Sequence, residues 1–219
     1  VISQKRFTPR FRRVKEALDS GALGRPLAAT VLVRSHRPDA YFSEGSGWRG
    51  DAARGGGVLL NQGIHWLDLL SWWLGDFESA RGFEGARREG LKAPETVGGT
   101  VRFRSGAVAT LLLSTGAKRG PPDFIELVAE KGAVQFEGGR VRVWDLPGEG
   151  TRGLLGPLTR KLPLPLRTAL TMDALESPRD GTVEDQIRQF AGAVQAGRDP
   201  ESTGEEGLRA LRLALALSA

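Results

Sequence analysis

The residues best suited to chemistry lie in one helical stretch of this 219-residue chain. At 100° per residue of α-helix, Asn61, His65 and Asp68 fall within about 60° of one another, on a stripe of a segment that is otherwise apolar. Burying such side chains without partners costs on the order of 1 to 3 kcal/mol each. They therefore either satisfy one another and the backbone, with His65 as a core histidine, or they face a cleft.

A glycine inside this stretch favours the cleft. Within a helix, Gly63 costs about 1 kcal/mol relative to alanine, which indicates that another group approaches the backbone there. His65 is the member of the set that can gain and lose a proton near neutral pH. The pattern thus predicts a proton-transfer site centred on His65.

Composition excludes several other chemistries. The chain has no cysteine and two histidines, which excludes thiol nucleophiles, disulfides and iron–sulfur clusters, and no metal site is expected. The net charge is +5, and the dense basic run at residues 5–15 lies on a helical pattern, for which a solvated helix face is a simpler explanation than a nucleic-acid surface. No apolar stretch reaches the roughly 18 residues of a membrane span, so we expect neither nucleic acid nor membrane as a partner. We expect a cytoplasmic protein, and the start at Val1 instead of Met is typical of a fragment.

A glycine pattern at residues 45–50, Gly-Ser-Gly-Trp-Arg-Gly, matches the spacing of dinucleotide-binding glycines. A Rossmann fingerprint needs a strand immediately before it and a helix that opens at its third glycine. Here loop-like sequence lies on both sides. The sequence therefore predicts no Rossmann unit in this chain.

The helix that carries the candidate site is predicted over residues 58–74 and ends at Gly75, in the position of a left-handed cap. Another helix is expected after Thr8, and two amphipathic helices are expected over residues 182–196 and 203–218. Strands joined by short glycine turns must be mainly antiparallel. The predicted strands cover residues 27–36, 78–83, 96–104, 107–115, 124–130, 133–136 and 140–144.

This order of elements predicts a single α+β domain over residues 1–219, built as one large and mainly antiparallel sheet with helices on one face. Residues 39–56 are loop-like and form a candidate lid. Residues 146–178, rich in Pro, Gly and Leu, are expected to be an irregular excursion.

The stretch from Gly55 to Asp68 resembles the signature of the glucose-fructose oxidoreductase, inositol dehydrogenase and rhizopine catabolism (Gfo/Idh/MocA) family. In that signature a glycine-rich turn opens a helix that reads Asp or Asn, three residues, His, two residues, Asp. Further similarity to the second domain of that family lies at residues 4–7, 21–26, 41, 48–50, 186–190 and 204–207. The family's Rossmann domain and its Glu-Lys-Pro motif have no counterpart in this chain. The chain is thereby identified as the C-terminal domain of such an oxidoreductase.

The resemblance implies an enzyme that transfers a hydride between a nicotinamide and a sugar, sugar derivative or cyclitol. NAD or NADP would be bound mainly by the N-terminal domain that is missing here, so this chain alone is expected to be inactive. The family's catalytic histidine matches His65. Asn61 stands where many members have Asp, and because an amide cannot take a proton, it would orient the substrate. Asp68 would support the site or bind a sugar hydroxyl.

Five more residues match family positions around the site. Lys5, His36 and Tyr41 would lie beside the substrate, and Trp48 and Arg49 would contact the cofactor. A solvated charge for Lys5, an exposed polar residue for His36 and aromatic packing for Tyr41 remain open as structural explanations.

The central strands also predict self-association. Near-consecutive apolar residues at 109–113 place apolar side chains on both faces of the sheet. Helices cover one face, so the other needs a partner, as in the face-to-face sheet dimers of the resembled family. A noncatalytic sugar-binding or dimerisation module, a regulator, and an NAD-dependent glycosidase remain alternatives to the dehydrogenase.

Overall fold

We describe a computed structural model of the chain over residues 1–146 and 183–218. The predicted excursion at 146–178 lies, apart from Leu146, outside the described residues.

Seven strands form one sheet in the order β2-β3-β4-β1-β5-β6-β7. The strands are β1 (Pro26–Arg34), β2 (Phe77–Glu84), β3 (Thr96–Phe103), β4 (Val108–Ser114), β5 (Phe124–Ala129), β6 (Gly132–Glu137) and β7 (Arg140–Asp145). Neighbouring strands are antiparallel except β1 and β4, which run parallel with Ala28 opposite Val108. The predicted α+β class with a mainly antiparallel sheet is confirmed.

The central strand β4 shows how side chains alternate between the two faces of the sheet. In β4, Ala109, Leu111 and Leu113 are buried, whereas Val108 and Leu112 are 43% and 37% exposed. This is the period of two that a half-buried strand requires. One face therefore belongs to the core and the other carries uncovered apolar side chains.

Helices cover the buried face of the sheet. The helices within the described residues are α1 (Pro9–Asp19), α2 (Asp39–Ser43), α3 (Ile64–Leu74), α4 (Val183–Gln195) and α5 (Gly204–Ala216). Phe11 of α1 packs edge-on against Trp73 of α3 and Phe136 of β6, with ring centroids 5.6 and 5.1 Å apart. The chain leaves α5 at Leu217, whose carbonyl lies so close to Gly82 of β2 that a side chain there could not fit.

The helix ends follow the predicted capping residues in part. At α5, Thr203 and Glu206 form a capping box, each side chain accepting from the other's backbone N–H. At α1, Thr8 precedes Pro9 as expected, but its side chain makes no capping hydrogen bond. Gly75 ends α3 with a positive φ of 84°, but its ψ of −154° differs from the predicted left-handed cap. No helix in the described part is long and apolar enough to cross a membrane.

The basic run at residues 5–15 is a solvated face only in part, which corrects the sequence interpretation. Arg6 and Arg10 are buried, and Arg10 lies over the rings of Phe11 and Phe136. Arg13 is exposed and pairs with Glu16 at 2.8 Å on the surface. The run therefore combines two arginines that pack inside the protein with charges that face solvent.

The candidate lid at residues 39–56 contains more regular structure than the sequence predicted. After α2 come two short 3-10 turns, Trp48–Gly50 and Ala52–Arg54. The carbonyl of Gly50 accepts from the backbone N–H groups of Lys92 and Ala93, at 3.0 and 2.9 Å. Hydrogen bonds thus fasten this segment to the connection between β2 and β3.

Candidate active site

The helix that carries the candidate residues is irregular where the sequence predicted one continuous α-helix over residues 58–74. Leu59–Gly63 form a π-helical turn, and α3 begins at Ile64. A π turn closes its hydrogen bonds over five residues, so the 100° spacing assumed between Asn61 and His65 does not apply across it. The spacing of His65 and Asp68, both in α3, is that of a regular helix. Single π turns within α-helices occur frequently at functional sites.

Gly63 is explained by packing of the helix on the sheet. A Cβ atom at this position would lie 2.7 Å from Leu113 Cδ1 and 3.0 Å from the carbonyl oxygen of Val58. The group that approaches the backbone is therefore the β4 side chain. The predicted close approach to Gly63 is therefore found, but it comes from the sheet and does not favour a cleft.

His65 is half-buried in α3 beside a positive charge. Burial lowers the pKa of its imidazole below 6.5, the nearby Lys5 ammonium lowers it further, and Asp68 partly opposes the two. Lys5 itself lies over the Trp66 ring, with Nζ 3.7 Å from the centroid. Within residues 1–146 and 183–218 the imidazole makes no hydrogen bond. A neutral imidazole with its ring nitrogens available is the form that accepts a proton.

Asp68 is held in a buried ion pair. Its two carboxylate oxygens accept from Arg6 Nε and Nη2 at 2.8 and 2.7 Å, and both side chains are buried. Arg6 Nη1 also pairs with Glu206 at the start of α5, at 2.6 Å. The sequence did not single out Arg6, because a charged residue within a basic run is usually exposed. This geometry favours a supporting role for Asp68 over direct contact with a sugar hydroxyl.

Tyr41 of α2 meets the π turn. Its hydroxyl donates to Asn61 Oδ1 at 3.3 Å and accepts from Gln62 Nε2 at 2.9 Å. The Asn61 Nδ2 group is buried and has no hydrogen-bond partner in the described part of the chain. A buried amide donor without a partner in the described residues, four positions before His65, is suited to a substrate oxygen.

The glycine-rich turn docks the candidate lid onto the beginning of this helix. A Cβ at Gly56 would lie 2.4 Å from the carbonyl oxygen of Trp48, and Gly57 N donates to the carbonyl of Arg49 at 3.1 Å. The Arg49 guanidinium lies 4.8 Å from the centroid of the Tyr41 ring. Trp48 is half-exposed, so the lid brings Arg49, more than Trp48, to the predicted site residues.

His36 follows β1 and forms an isolated bridge with Gly116. No contact between its side chain and Asn61 or His65 is found in the described ranges. The adjacent Arg37, which sequence reasoning missed, reaches the Tyr41 ring instead, with its guanidinium 5.3 Å from the centroid. The position of Arg37 directly after a strand and before the candidate lid is the feature of the sequence by which it could have been identified.

Comparison with known proteins identifies the family. A family model described as the GFO/IDH/MocA C-terminal domain matches residues 11–135, more than half of the chain. The chain belongs to the Gfo/Idh/MocA family. Similar relatives are myo-inositol 2-dehydrogenase of Thermotoga maritima, 28% identical over 97% of this chain and 58% of that protein, and 1,5-anhydro-D-fructose reductase of Ensifer adhaerens, 28% identical over 94% and 56%. The chain thus spans somewhat over half the length of these Gfo/Idh/MocA relatives.

Solved Gfo/Idh/MocA structures agree with the fold. The WlbA dehydrogenase from Bordetella pertussis, determined in complex with NADH and UDP-GlcNAcA, matches with a TM-score of 0.79 and 25% identity, over 100% of this chain and 60% of that one. By their names, these three relatives are a reductase and two dehydrogenases, all of them oxidoreductases.

Proposed function

We propose that this chain is the substrate-binding and proton-transfer half of a cytoplasmic NAD(P)-dependent oxidoreductase. The enzyme would move a hydride between the nicotinamide and a hydroxyl-bearing carbon of a sugar, sugar derivative or cyclitol. The observation that carries the proposal is the half-buried His65, whose pKa is lowered by burial and by the Lys5 charge and whose imidazole makes no hydrogen bond within the described residues. The relatives with dehydrogenase and reductase activity support this reaction class.

The described residues do not offer a site for the nucleotide's phosphates. A dinucleotide needs a glycine turn between a strand and the N-terminus of a long helix. The glycine pattern at 45–50 instead follows α2 and enters a 3-10 turn, and α2 itself has five residues and opens with Asp39. We therefore assign the cofactor mainly to a separate domain of a longer protein, with this chain inactive alone. When bound, the nicotinamide supplies the hydride acceptor.

The residues of this chain would handle the proton. His65 in its neutral form accepts the proton of the substrate hydroxyl as that oxygen gains carbonyl character. Burial and, to a smaller extent, Lys5 favour the neutral imidazole, and Lys5 would also stabilise negative charge that develops on the substrate oxygen. Asn61, which cannot take a proton, donates its free Nδ2–H to the substrate and fixes its orientation.

Replacing His65 with Asn in the intact enzyme tests the proposal. The variant keeps a hydrogen-bonding group but removes the base, so kcat should fall by about 10² to 10⁴ with little change in melting temperature. His36→Asn makes the same substitution at the second histidine. Because His36 is expected to contact the substrate and not to take its proton, this variant should mainly raise KM. If His65→Asn instead lowers the melting temperature and leaves kcat within about threefold of the parent, His65 is a core histidine and the proposal fails.

We further propose that the protein is a homo-oligomer built on the uncovered face of the sheet. Val108 and Leu112 on β4 are 43% and 37% exposed there. Leu32 on the neighbouring strand β1 is half-buried and lies opposite Leu112 in the parallel register, so its side chain is on the same face. Covering it with a second copy would remove apolar surface from water.

A further inference from the structure

Two guanidinium groups lie beside one tyrosine ring at the proposed active site. Arg37 and Arg49 lie 5.3 and 4.8 Å from the centroid of the Tyr41 ring. The hydroxyl at the other end of that ring bonds to Asn61. Tyr41 therefore connects the two positive charges, through its ring, with the amide proposed to orient the substrate, through its hydroxyl.

The acidic residues on the segments around Tyr41 already have other partners. Asp39 of α2 and the buried Glu95 both pair with Arg88, and the Asp51 side chain accepts from the backbone N–H of Ala53. The exposed Glu44 stands 3.4 Å from Arg49 Nη1, which is a long and solvent-screened contact. These acids leave positive charge on the Tyr41 side of the site.

Of the two arginines, Arg37 has the fewer polar partners. Its Nε is buried without a hydrogen-bond partner, and in the described part of the chain its guanidinium makes no hydrogen bond or ion pair. A buried donor left unsatisfied costs free energy and calls for a partner. Contact with the Tyr41 ring engages the face of a guanidinium and leaves the N–H groups at its edge available.

We infer that Arg37, assisted by Arg49, forms an anion subsite, and that the substrate is a sugar or cyclitol derivative that carries a carboxylate or a phosphoryl group. This rests on the proposed function and narrows its substrate class. The planar fork of an arginine matches the oxygens of either group with two parallel hydrogen bonds. A sugar oxygen held by Asn61 would bring a neighbouring substituent of the same molecule towards Tyr41, because the Tyr41 hydroxyl bonds to Asn61.

Calorimetry on the intact protein with three sugars of one ring type tests the subsite without requiring turnover. The probes are D-glucose, D-glucuronate and D-glucose 6-phosphate. We expect at least one of the two anionic sugars to bind about 10- to 100-fold more tightly than D-glucose, the range given by charge-assisted hydrogen bonds. Comparison of the two anions distinguishes a carboxylate subsite from a phosphate subsite.

Arg37→Gln should remove most of this preference while the Kd of D-glucose stays within about twofold. Arg37→Lys, which keeps the charge and loses the fork, should retain part of the preference. Arg81→Gln is the matched control, because Arg81 also lies over an exposed aromatic ring, 5.2 Å from the centroid of Phe83, on the edge strand β2. It should change none of the three constants.

Three results would overturn the subsite. They are equal binding of charged and neutral sugars, no measurable binding of either anion, and a preference that survives Arg37→Gln with an unchanged melting temperature. A loss of NAD affinity in Arg37→Gln without loss of the sugar preference would also reject it, because the arginine would then serve the nucleotide. An inactive His65→Asn variant that still prefers the anion would separate this inference from the hydride-transfer proposal.

Discussion

His65 combines two influences that act in the same direction. Burial penalises the charged imidazolium, and the positive charge of Lys5 repels it. Asp68 opposes them only in part, since its carboxylate is already engaged by Arg6. The ion pair therefore keeps a nearby negative charge from converting the base into its protonated form.

The lowered pKa of His65 predicts a pH dependence with a definite sign. Activity in the oxidation direction should be constant above about pH 6.5 and fall at lower pH, because only the neutral imidazole can take the proton. The unfolded chain binds this proton at a higher pH than the folded chain, so the contribution of His65 to stability is complete above about pH 6.5 and is lost as the pH falls through the folded-state pKa.

An NMR titration of the ring resonances measures this pKa, with His65→Asn assigning the signal. Lys5→Gln should raise the pKa of His65 but leave it below 6.5, because burial is the larger cause. A pKa of His65 at or above 6.5 in the parent protein would contradict the prediction.

At this scale the sequence predicted helical spacing but not the contacts between distant side chains. The spacing of His65 and Asp68 within α3 was correct because a regular helix repeats. The partners of Asp68 and Tyr41 could not be predicted, since Arg6 and Asn61 reach them from segments 62 and 20 residues away. The charge or aromatic character of a residue does not indicate which distant residue will contact it in the fold.

At the scale of elements, the π turn packs against the sheet because Gly63 has no side chain. Gly63 lets the helix lie on Leu113 of β4, where any side chain would collide. Gly192 in α4 offers a contrast, because a Cβ there would meet nothing within 4 Å. Two helical glycines thus differ in what surrounds them.

Gly63→Ala should destabilise the protein by about 1 to 3 kcal/mol through overpacking, despite the better helix propensity of alanine. Gly192→Ala should instead stabilise it by about 0.5 to 1 kcal/mol. Urea denaturation of both variants gives the two free energies of unfolding. Equal effects of the two changes would show that Gly63 is not constrained by the sheet.

The strand positions were predictable because glycine turns bound alternating apolar runs. The predicted strands 96–104 and 107–115 correspond to Thr96–Phe103 and Val108–Ser114. The parallel pairing of β1 with β4 was not predictable, since short turns fix only strands that follow one another. The π turn was also missed, because its apolar pattern does not differ from that of an α-helix.

At the scale of the whole molecule, the uncovered sheet face is the surface that we expect a second copy to cover. Light scattering at tens of micromolar should show an oligomer, and Leu112→Lys should shift it to the monomer by placing a charge in the interface. Leu211→Lys is the matched control, because Leu211 on α5 is 39% exposed against 37% for Leu112. A monomeric parent protein, or equal effects of the two lysines, would contradict the proposal.

The central place of β1 in the sheet has a consequence for the order in which the molecule assembles. β2, β3 and β4 form one run of sequential antiparallel neighbours, and β5, β6 and β7 form another. Each run can form through contacts between strands that are close in the sequence. β1 must instead close loops of 80 residues to pair with β4 and of up to about 100 residues to pair with β5. β1 is therefore made before both of its neighbours in the sheet, and until β4 and β5 have left the ribosome we expect its two hydrogen-bonding edges to stay open to chaperones and to mispairing.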